Sequence, residues 1–420
     1  MTGEISPDLL RGLTRPRVSR RRALQVGGLS AMGLLLSACS VEGTKSKAAG
    51  GSPEDKAAAV KDFWAQQKQT GTLDFENWPL YLDVGEKDTE HPSLDLFTKK
   101  TGIKVTYTEG IQQVDSYYGK IQPVLSSGAG IGKDIIVMTN GLYLDRLIES
   151  EFVVPLDQTR MTNFSRYSSE LVRNPSFDRG NVYTMAWQSG ITGIGYDPKK
   201  VGRKITSWND LTDPALEGKI GMFGDNQDLP GCALLALGVA PETSAEADWK
   251  AAGAWLTKQR PLVRKYYEQD YIKPLKSGDI WATMAWSGDI FQAKIDRPDL
   301  EFVVPDEGAM IWSDNMCIPK YAAHPLDAMV YMDYVYQPEV AATIADYVNY
   351  ITPVTDAKLV FKREEKDAKT ADDKAYYKDL AESPLIFPSA ADYSRLHRYR
   401  VLTSAELASW NAIFQPVYQS

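Results

Sequence analysis

Aromatic rings and carboxylates recur together in this chain where strand-like segments stop. Trp286-Ser-Gly-Asp289 follows the apolar run Ile280, Ala282, Met284. Asn77-Trp78-Pro-Leu-Tyr81 follows the first strand-like segment, and Asp225-Asn-Gln-Asp228 follows Ile220 to Phe223. Met310-Ile-Trp312-Ser-Asp314 reads as a link between two later strands, Tyr350 precedes Ile-Thr-Pro, and Trp187 stands just ahead of a strand at 191. Ring faces attract cations, at about 0.5–2 kcal/mol each. A carboxylate shielded from water requires a cationic partner. A linear aliphatic polyamine offers charged ends and an apolar middle, and so suits both. A sugar also uses aromatic platforms, but it wants Asn, Gln and Arg as much as acids. An anion would want Arg, Lys or helix N-termini, which these segments lack.

Each residue also has an ordinary role. Trp78 and Trp312 suit a core, and Asp225 or Asp228 suits an N-cap ahead of the apolar run from Leu229. Asp314 suits a turn, and Asp289 suits the start of a helix through Ile290 and Phe291. It is the joint recurrence that argues for a site. Two rival readings share these residues. One is an exported hydrolase with an acid pair about 5 Å apart; the other is a binding protein for an amino acid or modified sugar.

The elements that must position these groups alternate. Strands are expected at 103–107, 134–138, 191–196, 219–223, 301–304 and 315–318. Helices are expected at 114–125, 142–148, 244–258, 325–336 and 338–348, the last two with Pro near the start. Thr403-Ser-Ala-Glu406 is a capping-box pattern that opens a final helix. Such alternation predicts an α/β fold with largely parallel sheets. Gly128-Ala-Gly-Ile-Gly-Lys133 precedes a strand and lacks a following Ser or Thr, so it reads as a turn and not a phosphate loop. Arg363 to Lys374 reads as a solvated helix or loop. No cofactor is called for. Three His, none at ligand spacing, indicate no metal site.

Residues 1–38 form an export signal: Arg20-Arg21-Arg22, an uncharged apolar stretch, then Leu36-Ser-Ala-Cys39. The last four residues are a lipobox, which marks Cys39 for lipid attachment. Ser19-Arg-Arg resembles a twin-arginine signal, with Ala23 where Phe is usual, so both the general and the twin-arginine routes stay open. Residues 40–58 are small and polar and read as a flexible tether. The chain carries a net charge of −8. The signal takes more Arg than acid with it, so the mature chain is more acidic still, which argues against phosphate-directed nucleic-acid binding. Cys232 and Cys317 sit in apolar surroundings, as buried thiols or as a disulfide pair.

From about Leu73 to at least Pro353 the chain resembles the spermidine/putrescine-binding proteins of bacterial ABC importers. The resemblance rests on Asn77-Trp78-Pro-Leu-Tyr81, Phe97 to Val105, Ser207-Trp-Asn-Asp-Leu211, Trp286-Ser-Gly-Asp289 and Pro305 to Met310, in order. It implies a two-lobed type II periplasmic-binding-protein fold that closes a hinged cleft on a polyamine, putrescine or spermidine. Lobe 1 would comprise 72–190 and 313–358, and lobe 2 would comprise 191–312 and 359–420, after a linker at 39–71. The implied ligand-binding residues are Trp78, Tyr81, Thr139, Asp225, Asp228, Trp286, Asp289, Trp312, Asp314 and Tyr350. Thr139 matches a Ser position, and the tyrosine usually next to it is displaced to Tyr143. Pro79 and Leu80 replace polar or acidic residues, and Arg400 falls where a ligand-binding Gln lies. The implied protein is a monomer and not an enzyme. It is lipid-anchored at Cys39 on the outer face of the cytoplasmic membrane, and its partners are a permease and an ATPase.

Overall fold

The computed structural model describes residues 53–87 and 89–419. The export signal, Cys39 and the first part of the expected tether lie outside the described residues. Among the described residues, ten strands alternate with helices except that β8 leads directly to β9: β1 Thr72–Glu76, β2 Lys104–Thr108, β3 Ile135–Thr139, β4 Thr184–Tyr196, β5 Ile220–Phe223, β6 Val263–Tyr267, β7 Ala282–Trp286, β8 Glu301–Val303, β9 Ala309–Cys317 and β10 Leu396–His397. The sheet order is β2-β1-β3-β9-β4-β7-β5-β6, with β10 on β9 and β8 on β4.

The two ends of this order are parallel. β1 pairs with β2 and β3, and β5 pairs with β6 and β7, joined through helical crossovers. The middle is antiparallel. β4 and β9 pair along most of their length, with a register shift between Ala186 and Gln188. In β3, Ile135 and Val137 enter one core while Ile136 and Met138 enter another, so the strand is apolar throughout.

Two main cores define the lobes. Phe75, Val137 and Phe97 belong to the first, and Met222, Met284 and Trp249 to the second. β4 gives Met185 and Trp187 to the first core and Ile194 and Tyr196 to the second. β9 likewise splits Met316 from Met310. These two long strands are therefore the span on which the lobes are joined.

The described elements differ from expectation in four places. First, the segment 310–314 is the middle of β9, not a link between strands, and Trp187 is inside β4. Both strands are buried along their length because each runs through two cores. Second, a helix at Pro53–Gln66 occupies much of the expected linker, and its Trp64 is buried, donating from Nε1 to the carbonyl of Pro155 at 2.8 Å. Third, Val360, Phe361, Leu380 and Ala381 pack in the first core, so the helices at Ala357–Asp367 and Ala371–Glu382 join lobe 1 and not lobe 2. Only the end of the chain, through Trp410 and Phe414, joins the second core. Fourth, the helix expected to start at Asp289 begins two residues earlier, as Ser287–Asp296, directly where β7 ends.

Cys232 and Cys317 are both buried and free. They sit in separate cores. Thr403 accepts from the Glu406 amide in a capping box that opens the helix Ser404–Tyr418. No helix among the described residues is long and apolar enough to cross a membrane.

Candidate ligand-binding cleft

A cleft of about 2600 Å³ opens between the lobes. That exceeds a small-molecule pocket of roughly 300–1,000 Å³, so the lobes stand apart. All ten residues expected to bind ligand line it. Its charge is one-sided: twelve Asp or Glu face three Lys or Arg.

A connected aromatic wall crosses the floor. Tyr81 meets Tyr350 with ring centroids 5.6 Å apart, Tyr350 meets Trp312 at 5.4 Å, Trp312 meets Trp286 at 6.4 Å, and Trp286 meets Phe223 at 4.7 Å. Two glycines permit it. A Cβ on Gly190 would lie 2.2 Å from the Trp312 ring, and one on Gly288 would lie 2.8 Å from the Tyr350 ring. Indole donors also hold Trp312 and Trp78, another ring of the cleft lining, in place. Trp312 Nε1 donates to Thr192 Oγ1 at 3.1 Å, and Trp78 Nε1 donates to the Val137 carbonyl at 3.1 Å.

Three carboxylates stand along this wall. Asp314, on β9 opposite Thr139 of β3, accepts from the Thr139 hydroxyl at 2.6 Å. Burial pushes its pKa up from 3.8 to about 6, against the pull of hydroxyl donors. Asp228 opens the helix Asp228–Ala236 and accepts from Tyr399 Oη at 2.7 Å and Trp286 Nε1 at 3.2 Å. Burial also raises its pKa, opposed by those same donors. Asp289, in the first turn after β7, accepts from Tyr271 Oη and Tyr350 Oη, each at 3.0 Å. Among the described residues none of the three forms a salt bridge with Lys or Arg. Their charge is left for whatever enters the cleft.

Asp225 lines the cleft but turns one oxygen to its own backbone. Its Oδ1 accepts from the amides of Gln227 at 2.7 Å and Asp228 at 2.6 Å, in the loop that leads into the helix. Its Oδ2 is buried without a hydrogen-bond partner, and burial, followed by the charge of Asp228, raises its pKa. Arg400 does not enter the cleft. Its guanidinium pairs with Glu406 at 2.7 Å, donates to the Glu242 carbonyl at 3.2 Å and lies 5.6 Å over the Trp249 ring. The preceding residue, Tyr399, takes the cleft position instead. Leu80 lines the mouth with a positive φ of 58°, its amide donating to Glu109 at 2.9 Å. An acid thus remains at that end.

Sequence reasoning missed Tyr271, Tyr399 and Glu109. None lies in a motif, and each meets its partner only through the fold. It also missed that His324 approaches Asp74 and Asp134. There, however, Asp134 already caps two backbone amides, those of Asp74 at 2.9 Å and His324 at 2.8 Å. Both His324 ring nitrogens face threonine hydroxyls.

Comparison with known proteins places this architecture. The model of the family described as bacterial extracellular solute-binding protein matches residues 132–377. The chain belongs to that family. A spermidine/putrescine-binding periplasmic protein of Salmonella typhimurium is 29% identical over 316 residues, covering 75% of this chain and 85% of the relative. The putrescine-binding periplasmic protein SpuD of Pseudomonas aeruginosa is 30% identical over 307 residues, covering 68% of this chain and 79% of the relative. Among solved structures, a putative spermidine/putrescine ABC transporter from Listeria monocytogenes superimposes with a TM-score of 0.70 at 26% identity, covering 83% of this chain and 99% of that one. The chain is thus a solute-binding protein, with a cleft between the lobes that β4 and β9 join.

Proposed function

We propose that this protein captures a linear polyamine, putrescine or spermidine, for an ABC importer. One observation carries the reading: Asp228, Asp289 and Asp314 share an aromatic-walled cleft, and each is held by neutral donors alone. Unpaired carboxylates in partial burial favour a ligand bearing more than one positive charge. The rings of Trp78, Trp286 and Trp312 would box the methylene chain and add cation–π attraction to its ends. The names of the relatives, which bind spermidine and putrescine, support the same class. No covalent step is part of this role. The amine draws the lobes together, shifting an open–closed equilibrium, and a permease with its ATPase recognises the closed form. The export signal and lipobox support a protein tethered through Cys39 outside the cytoplasmic membrane. Titrating intrinsic Trp fluorescence with putrescine and with spermidine tests the reading. A saturable change is expected; no response to either amine at millimolar concentration would overturn it.

A further inference from the structure

Tyr271 does not line the cleft, yet it touches two groups that do. Its ring is fully buried behind Trp286, with centroids 5.9 Å apart, and it packs on Phe223 at 5.2 Å. Its hydroxyl accepts from the backbone amide of Trp286 at 2.9 Å and donates to Asp289 Oδ2 at 3.0 Å. A phenol has one proton, so with the amide donating in, that proton is directed at the carboxylate. Burial and the nearby charge of Asp289 push the phenol pKa well above 10, which keeps the proton in place.

The array continues on both sides. Trp286 donates from Nε1 to Asp228, and Asp228 also accepts from Tyr399. The other oxygen of Asp289 accepts from Tyr350, a residue of the first core, whereas Tyr271 belongs to the second. One buried hydroxyl therefore sets the end of β7 and the first acid of the following helix together. The directed bonds Trp286 N–H to Tyr271 O–H to Asp289 reinforce one another in a low-dielectric setting.

We propose that Tyr271 is a positioning residue of the amine site, fixing the Trp286 ring and the Asp289 carboxylate in one geometry without touching the ligand. The proposal rests on the polyamine reading. It differs from a packing role, because a Phe at this position would keep the ring contacts and remove only the directed proton.

The test is a double-mutant cycle on the full chain, read by calorimetric titration with putrescine, with Tyr271→Phe, Asp289→Asn and the two combined. The Tyr271→Phe variant is expected to bind roughly tenfold more weakly than the wild type, the scale of one hydrogen bond to a charged group. In the Asp289→Asn background the same change is expected to cost less than about twofold, because the carboxylate that Tyr271 orients is gone. A packing role would give equal losses in both backgrounds, and that outcome would overturn the proposal. So would a Tyr271→Phe variant that binds as the wild type does. A wild-type protein that binds neither putrescine nor spermidine would instead overturn the polyamine reading, and this proposal with it.

Discussion

The carboxylates that line the cleft differ from those of the second lobe outside it in their partners and in their burial. Outside the cleft lining, Arg203 reaches Asp210 at 2.6 Å and Asp213 at 3.0 Å, and Arg297, itself at the cleft, turns to two acids that do not line it, Asp197 at 2.9 Å and Asp299 at 3.0 Å. Hydrogen bonding to Arg297 holds Asp299 down at about 2. In the cleft, Asp314 receives a threonine hydroxyl and no guanidinium, and burial holds it up at about 6. The same side chain is satisfied in one region and uncompensated in the other. Partly buried charge without a partner costs stability. Its concentration along an aromatic wall marks where a cationic ligand completes the structure.

Removing that charge should give the largest effect. Asp314→Asn is expected to weaken putrescine binding by at least about 30-fold, since breaking a buried charge pair costs 2–5 kcal/mol or more. The melting temperature of the ligand-free protein should hold or rise, because the amide carries no uncompensated charge. A fall in both would mean that Asp314 is structural. Disturbing the wall should come next. Gly190→Ala places a methyl group against the Trp312 ring. About 1–3 kcal/mol of lost stability is expected from overpacking, visible in chemical denaturation, together with weaker binding. Outside the cleft lining the effect should be smallest: Arg203→Ala is expected to leave putrescine affinity within about twofold, as suits an exposed pair. A larger loss would erase the contrast between the two regions.

Much of this site was legible before the fold was seen. Trp286 with Asp289 and Asp225 with Asp228 stand at strand ends, where open α/β sheets bind ligands. Trp312 and Asp314 were legible as a pair but not as strand residues. β9 carries buried polar groups in mid-strand because it crosses the cleft, a placement that no local pattern announces. The lobe of Val360 and Phe361 was illegible for a related reason. Helical periodicity shows that a face is buried, but not against which of two cores. By contrast, Val60, Phe63 and Trp64 already carried helical spacing within the linker expected at 39–71. Tyr271 and Tyr399 could not have been found, because Tyr399 meets Asp228 from 171 residues away. Arg400 illustrates the limit of alignment: one position separates a residue in the cleft from one ion-paired outside it.

The central claim is that an uncompensated carboxylate on the cleft floor receives an ammonium group. Calorimetric titration with putrescine from pH 7.5 down to pH 5 tests it most directly. Burial raises the Asp314 pKa to about 6, so the carboxylate is charged above that value and protonated below it. The sign follows from linkage. The ligand-free fold loses stability as pH rises from 3.8 through about 6, while the affinity for a cation grows over the same interval. The account predicts saturable binding at neutral pH that weakens as pH falls through about 6, with proton release on binding near that pH. An affinity unchanged down to pH 5, or no binding at neutral pH, would contradict it.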